Sequence, residues 1–322
     1  LLNHNSKYMF NYCNHANFIQ DGVKAEAFES YCRTSLEGDK EKRQMFLEMV
    51  GYTLVPTNRA KKACFIIGPK HCGKSTIQNV LISIIDREKV GSIALQDLSN
   101  RFSNSMLTDV RVNIQFELSN KPIRDINDFK PIVGGDYCAG EKKGGALYTF
   151  RHTAKLLFGG NHLPPLHNPQ MSEIYVDRIA LLKLDKSIRK ENWDLSLESK
   201  LLSEKDKIYT LSMYAYQDLY RNKFNFSMPE GSKEFLREYQ LDLDNVRGFF
   251  KQYCEYSKGS RVYTKTLYDL YTKYCKDNAI EPFKKETFSK QLSEILEIQP
   301  KNLRVNSGSV SRGYEGIRLL AS

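Results

Sequence analysis

A glycine-rich segment with the pattern G-x4-G-K-[ST] carries the strongest chemical signal in this sequence. It runs GPKHCGKS from Gly68 to Ser75, after an apolar run at 63–67 and before a helical pattern at 76–85. A strand before such a loop and a helix after it provide the backbone N–H groups and helix dipole that hold phosphate oxygens. In this chemistry Lys74 reaches the β- and γ-phosphates, and the hydroxyl of the following serine binds magnesium. The segment therefore predicts a site for ATP and Mg²⁺.

Coincidence is a poor explanation of this pattern, because a random chain of this length would contain it roughly once in a hundred cases. The predicted strand and helix on either side lower that figure further. We expect the phosphate site to consist of Gly68, Pro69, Lys70, His71, Cys72, Gly73, Lys74, Ser75 and Thr76.

Two later apolar runs end in polar side chains that suit the same reaction. Residues 110–117 end in Glu117, and residues 155–161 end in Asn161. A phosphate loop needs an acid at the end of a neighbouring strand to organise Mg²⁺ and the attacking water, so Glu117 is expected to be a metal ligand and catalytic residue. The alternative is an exposed glutamate at a strand end. Asn161 could contact the γ-phosphate and the water, but an asparagine before a proline-rich turn is more often a turn former.

A third feature is a predicted hairpin with a glycine-flanked basic tip at residues 134–150. Its tip cations, Lys142 and Lys143, would neutralise nucleic-acid phosphates without reading bases. Tyr137 and Tyr148 could add stacking on bases, as in proteins that bind single strands. From the residues alone, a solvated turn is the simpler interpretation, because Lys-Lys-Gly-Gly is ordinary turn chemistry.

Composition limits the class of protein and its partners. The chain has 322 residues, 41% of them hydrophobic, which predicts a globular protein of two or three domains. A net charge of +10 favours a polyanionic partner such as DNA over a merely soluble basic protein. Seven cysteines without a CxxC pair argue against a disulfide scaffold and a zinc site. With no apolar run long enough for a membrane span and no signal peptide, we expect a cytoplasmic protein with no membrane partner, and the missing initial Met indicates a piece of a longer chain.

The sequence predicts an α/β fold with a mostly parallel sheet, because strand and helix patterns alternate through its middle part. Three amphipathic helices, predicted at 245–256, 264–277 and 285–296, and a basic stretch at 301–318 with the parts of a hairpin follow, which is the composition of a winged helix. That tail could bind duplex DNA or dock a protein. The predicted divisions are a helical N-terminal domain at 1–58, an ATPase core at 59–195, a helical connecting segment at 196–242 and a winged-helix-like domain at 243–322.

The order of these motifs resembles that of superfamily 3 helicases, particularly the helicase half of phage, plasmid and poxvirus-type helicase-primases. The resemblance rests on GPKHCGKS, the strand ending in Glu117, KPIVGGD at 130–136 and LLFGGNHLPP at 156–165. It implies an AAA+ ATPase with a helical collar before the P-loop core, assembled as a ring, usually a hexamer, around DNA. It also implies that Glu117 is the Walker B acid and Asn161 the sensor residue, and that the basic hairpin projects into the ring channel.

By the same resemblance Arg178 stands where the family places an arginine finger, which completes the site of a neighbouring subunit. A surface salt bridge with Asp177 or Glu173 is the alternative. One departure from the family concerns Glu117, which has no adjacent second acid. Either Glu117 is both metal ligand and general base, or another acid contributes.

These observations predict an ATP-dependent DNA helicase for replication of a mobile element, phage or virus. The resemblance implies 3′–5′ polarity and suggests a primase or polymerase partner. An origin-binding initiator that melts DNA without processive unwinding is one alternative. A small-molecule kinase of the P-loop type is another, although it leaves the basic tip and the tail unexplained.

Overall fold

The computed structural model describes residues 7, 12–141, 144–168, 171–278, 280–304 and 310–320. The chain forms two compact units. The first takes in residues 1–121, 126–164 and 175–236, and the second residues 122–125, 165–174 and 237–322. Within the described ranges, no helix combines the length and apolarity needed to cross a membrane.

The first unit is built on a parallel sheet. Its five strands lie in the order β2-β3-β6-β1-β7, and each neighbouring pair is parallel. The predicted α/β class with a parallel sheet is therefore confirmed. A separate antiparallel hairpin is formed by β4 and β5. The strands are β1 (Ala63–Ile67), β2 (Val90–Gly91), β3 (Val112–Gln115), β4 (Tyr137–Glu141), β5 (Leu147–Arg151), β6 (Lys155–Gly160) and β7 (Ile179–Lys183).

Strands β1 and β6 form the centre of the sheet, where every residue of both is buried. Continuous apolar runs are typical of parallel strands covered on both faces. Phe65 and Phe158 are register partners, and their ring centroids lie 5.2 Å apart. This rigid centre carries the loops that follow both strands.

Helices cover the sheet and extend its core. The helices of this part of the chain are α1 (Glu26–Ser35), α2 (Lys40–Leu54), α3 (Lys74–Ile84), α4 (Arg101–Met106), α5 (Phe129–Gly134), α6 (Ser172–Val176), α7 (Leu197–Ser203), α8 (Lys205–Arg221) and α9 (Glu230–Asp242). Buried residues of α1, α2 and α8 share one hydrophobic core with β1 and α3. The predicted boundaries near 58 and 195 remain predictions, while the helices on both sides of them contribute to this common core.

A buried glutamate fixes the position of α1. The residue before the helix, Ala25, has no side chain that can cap it, and the carboxylate of Glu204 accepts the N–H groups of Ala27 and Phe28 instead. A carboxylate at a helix N-terminus also interacts favourably with the helix dipole. The contact holds α1 against the start of α8.

The second unit contains α10 (Asn245–Tyr253), β8 (Cys254–Tyr263), α11 (Thr264–Asp277), α12 (Lys285–Leu296), β9 (Lys301–Arg304) and β10 (Val310–Leu319). Its strands form an antiparallel sheet in the order β8-β10-β9. The core is aromatic, with the rings of Tyr271 and Phe288 stacked at 4.5 Å and Phe249 packed against both.

The three predicted helices of the tail are present, but the first one is shorter than expected. The sequence predicted a helix over 245–256, whereas α10 ends at Tyr253 and Cys254 opens β8. Strand β8 was missed because its stability comes from pairing with β10, about sixty residues later along the chain. The predicted hairpin of the basic stretch corresponds to β9 and β10.

Candidate functional site

The segment predicted to bind phosphate lies between β1 and α3, as the sequence predicts. Gly73 adopts a left-handed conformation (φ 91°) and precedes α3, whose N-terminus has no side-chain cap. The first N–H groups of an uncapped helix are available to an anion, and the helix dipole favours negative charge there. The N–H of Gly68 donates to the carbonyl of Gly160 at 3.0 Å, so the loop starts fixed to the end of β6.

The ammonium group of Lys74 is held by the loop that it follows. It donates to the carbonyl oxygens of Gly68 at 2.7 Å and Pro69 at 2.6 Å. It also lies 3.4 Å from Oδ1 of Asn161, after the neighbouring strand β6. A cation that rests on carbonyl oxygens can transfer to phosphate oxygens, which are stronger acceptors.

Lys74, Ser75, Glu117 and Asn161 line one cavity of about 690 Å³. The side chains of Ser75 and Glu117 are exposed there, and hydroxyl and carboxylate oxygens are the ligands that Mg²⁺ prefers. These residues follow β1, β3 and β6, and parallel strands present their carboxyl ends at the same edge of a sheet. The structure therefore brings together residues that the sequence placed at three separate strand ends.

Segment 116–118, which carries Glu117, crosses two glycines of β6. A Cβ atom on Gly159 would lie 2.5 Å from the ring of Phe116, and one on Gly160 would lie 2.9 Å from Leu118. The N–H of Leu118 donates to the carbonyl of Gly159 at 3.1 Å. Sequence reasoning did not give this pair a role, although two glycines inside a buried strand are a signal of close backbone approach.

Replacing Gly159 with alanine should therefore displace Glu117 and lower the ATP hydrolysis that the sequence predicts. We expect the rate to fall about tenfold to a hundredfold, because small displacements of a catalytic group have effects of this size. Steady-state ATPase kinetics would measure the change. Gly231→Ala is the matched control, since a Cβ atom there meets nothing within 4 Å. Equal rates for both variants would contradict the assigned role of the glycine.

The segment after β7 forms another wall of the site, which the sequence did not predict. The N–H of Leu184 donates to the carbonyl of Ile67 at 2.7 Å, and the N–H of Ile188 donates to the carbonyl of His71 at 2.9 Å. The hydroxyl of Ser187 donates to the carbonyl of Lys70. Residues 184–188 thus hydrogen-bond the last residue of β1 and the part of the phosphate loop at Lys70 and His71.

An ion-pair network holds the same segment to the turn between α1 and α2. The buried ammonium of Lys42 lies 2.7 Å from carboxylate oxygens of both Glu37 and Asp185. Hydrogen bonds from Lys186 and Lys42 lower the pKa of Glu37. Separating Lys42 from either carboxylate would leave a partly buried charge without its partner, which costs free energy. The network therefore holds segment 184–188 against the turn between α1 and α2.

Arg178 lies at the other edge of the sheet. Its carbonyl accepts the N–H of Ala63, the first residue of β1, whereas the phosphate loop follows the last residue of that strand. Its guanidinium lies 3.5 Å from the carboxylate of Asp177, the pair that the sequence offered as the alternative. Arg178 therefore does not reach the cavity of its own chain. Its role as a finger remains a prediction.

The predicted hairpin is present, with Tyr137 opposite Arg151 and Gly140 opposite Tyr148. Tyr137 is 74% exposed. The hydroxyl of Tyr148 instead hydrogen-bonds Thr108 at 2.9 Å, which ties the hairpin to the turn after α4. The tip cations predicted to contact nucleic acid, Lys142 and Lys143, lie outside the described residues.

A buried histidine anchors the base of the hairpin. Nε2 of His152 is 2.7 Å from Oδ1 of Asn104, within α4. Burial lowers the pKa of His152 to about 4, so the ring is neutral at physiological pH. The hairpin is thus fixed to the first unit at both Tyr148 and His152.

Comparison with known proteins gives two partial sequence matches and one shared fold. Residues 66–178 match a family described as one of unknown function (DUF5906), and residues 241–319 match the Poxvirus D5 protein-like family. The A form apo structure of the NrS-1 C-terminal region is similar with a TM-score of 0.56 and 12% identity, over 94% of this chain and 77% of that one. Another apo structure of that region has the same score and identity, over 92% and 76%. None of the curated proteins compared matches the sequence.

At 12% identity the structural similarity shows a shared fold. The Poxvirus D5 protein-like match covers the second unit's helices and sheet, while the other match covers the phosphate loop, Glu117 and Asn161. Together with the order of the motifs, these findings support similarity to phage and viral helicase-primase-type proteins.

Proposed function

We propose that this chain is an ATP-dependent, ring-forming DNA helicase of the superfamily 3 type. The observation that carries the proposal is the convergence of Lys74, Ser75, Glu117 and Asn161 on one cavity. These are the residue types that phosphoryl transfer to water requires: a cation for the phosphates, oxygen ligands for a metal, a carboxylate and an amide for the attacking water.

Each residue has a defined task in this proposal. Lys74 exchanges the carbonyl oxygens of its loop for the β- and γ-phosphates, and Ser75 and Glu117 hold Mg²⁺. A metal ion held by the oxygens of Ser75 and Glu117 would supply positive charge to offset the negative charge on the transferring phosphoryl group. Glu117 orients the attacking water and accepts its proton, while Asn161 contacts the γ-phosphate. Because Oδ1 of Asn161 contacts the ammonium group of Lys74, this contact would change when the lysine binds phosphate.

The proposed site is incomplete within one chain. None of the described residues that line the cavity is an arginine, and Arg178 lies at the opposite edge of the sheet. An arginine finger can accelerate such reactions by several orders of magnitude when it is supplied by a neighbouring molecule. In a ring, Arg178 of each subunit would face the cavity of the next subunit and would supply this arginine finger. The resemblance to superfamily 3 favours a hexamer.

DNA contacts are assigned to the hairpin and the second unit. Lys142 and Lys143, with exposed Tyr137, would grip the backbone of a single strand in the ring channel. In the second unit, the order of helices and strands from α10 to β10 supports the winged-helix interpretation. Lys284, Lys285 and Lys290 are exposed in and before α12, where they could contact duplex DNA or a replication partner such as a primase.

Unwinding of a tailed duplex with ATP and Mg²⁺ tests the proposal. We expect strand displacement on a 3′-tailed substrate and its loss in Lys74→Ala, because the phosphates lose their cation. Lys233→Ala, which removes an exposed lysine on α9, is the matched control and should unwind normally. An active Lys74→Ala protein would overturn the assignment. ATP hydrolysis without any strand displacement would instead identify an initiator that melts DNA locally.

A further inference from the structure

The cavity continues from the phosphate loop to a second group of residues that the reaction does not use. This group, at 188–198, includes two apolar side chains open to the cavity: Trp193 is 40% exposed and Leu195 is 91% exposed. A leucine with this exposure contributes little to the core. Large apolar side chains left open in a cavity are typical of a ligand site.

The indole of Trp193 is held in a fixed position relative to the phosphate loop. Its Nε1–H donates to the carbonyl of Ile188 at 2.9 Å, and the N–H of Ile188 donates to the carbonyl of His71. The imidazole of His71 lies beside the indole, with ring centroids 5.0 Å apart. His71 itself has a positive φ of 60°, a conformation that is uncommon outside glycine. The aromatic surface and the phosphate loop are thus joined by two hydrogen bonds.

Polar side chains line the same cavity as this aromatic surface. Ser30 and Thr34 of α1 line the same cavity, and so does Glu198, which accepts a hydrogen bond from Asn79 at 3.1 Å. An apolar surface for a flat ring together with donors and acceptors for its edge matches a nucleobase. A nucleotide bound by its phosphates at the loop would carry its base into the remainder of this cavity.

We infer that Trp193 and Leu195 form the subsite for the base of the nucleotide and that this subsite favours purine over pyrimidine bases. The inference rests on the proposed function, because the loop must bind the triphosphate first. A purine covers more of the indole than a pyrimidine, and stacking on an aromatic side chain contributes accordingly. Trp193 is therefore a binding residue that discriminates by base size and takes no part in phosphoryl transfer.

Binding measurements with and without the base test the inference. Isothermal titration calorimetry would compare ATP, UTP and inorganic triphosphate on the whole chain and on Trp193→Ala, Trp193→Phe and Leu195→Ser. We expect Trp193→Ala to weaken ATP binding about tenfold while inorganic triphosphate binding changes less than about twofold. Trp193→Phe should keep most of the affinity for ATP, since it keeps an aromatic face. Leu195→Ser should also weaken the binding of ATP more than that of inorganic triphosphate. Because the leucine side chain is exposed, the substitution should leave the fold intact.

A spectroscopic signal accompanies this test, because Trp193 is the single tryptophan of the chain. ATP should change its fluorescence more than UTP does. Equal weakening of ATP and inorganic triphosphate in Trp193→Ala, or no weakening of either, would overturn the base subsite and leave the phosphate site standing. Failure of the unaltered chain to bind either compound would overturn the proposed function as well.

Discussion

Replacing Glu117 with glutamine should reduce ATP hydrolysis at least about a hundredfold while ATP binding is retained. An amide keeps the size of the carboxylate but cannot accept a proton from water, and a well-placed general base contributes about 10²- to 10⁴-fold. The phosphates remain bound by Lys74 and the loop. Single-turnover hydrolysis and nucleotide titration would separate the two effects. Asp109→Asn, an exposed acid before the opposite end of β3, is the matched control.

The same experiment decides whether a second acid shares the work. Besides Glu117, the carboxylates that line the cavity among the described residues are Asp194 and Glu198. Both are engaged elsewhere: Glu198 binds Asn79, and hydrogen bonds from Lys200 and then Ser196 lower the pKa of Asp194 to about 2. These contacts leave Glu117 as the carboxylate for both tasks. A rate for Glu117→Gln close to that of the unaltered chain, with a loss in Glu198→Gln, would reverse the assignment.

The clustering of the residues proposed to react was predictable, because each belongs to a local pattern and the parallel sheet brings those patterns together. Gly68 to Ser75 is a contiguous motif, and Glu117 and Asn161 each end an apolar run. In a parallel sheet the carboxyl ends of the strands lie at the same edge. Motifs that are far apart in the sequence but follow these strands therefore lie close together in the structure. No long-range contact had to be known.

Other parts of the site depend on packing between distant segments, which a single sequence does not display. Ser30 and Thr34 belong to a helix that precedes the core in the chain, and Trp193 follows the last strand of the sheet. Hydrogen bonds through Ile188 and the ring contact with His71 bring Trp193 to the phosphate loop. Strand β8 was missed for the same reason, because an alternating segment beside a helical pattern is ambiguous until its partner strand is known.

Lys155 makes the stability of the first unit depend on pH. It is only 2% exposed at the start of β6, and its ammonium donates to Oδ1 of Asn58 at 2.6 Å and to the carbonyl of Thr153 at 3.0 Å. These partners are neutral and do not replace the lost hydration of a charge. Burial, with a smaller contribution from Arg111, lowers the pKa of Lys155 to about 7.

The free energy of unfolding should therefore rise with pH between about 7 and the ordinary lysine pKa near 10.4, by up to about 1.4 kcal/mol per pH unit from this group. In that window the unfolded chain binds a proton that the folded chain has released, and below it both states are protonated and the slope disappears. Chemical denaturation of Lys155→Met from pH 6 to 9 should show a flatter dependence than the unaltered chain. Lys130→Met, which removes an exposed lysine, should keep the slope. Curves for Lys155→Met that parallel those of the unaltered chain would mean that the folded protein keeps this lysine charged, at the cost of rearranging Asn58 and the start of β6 around it.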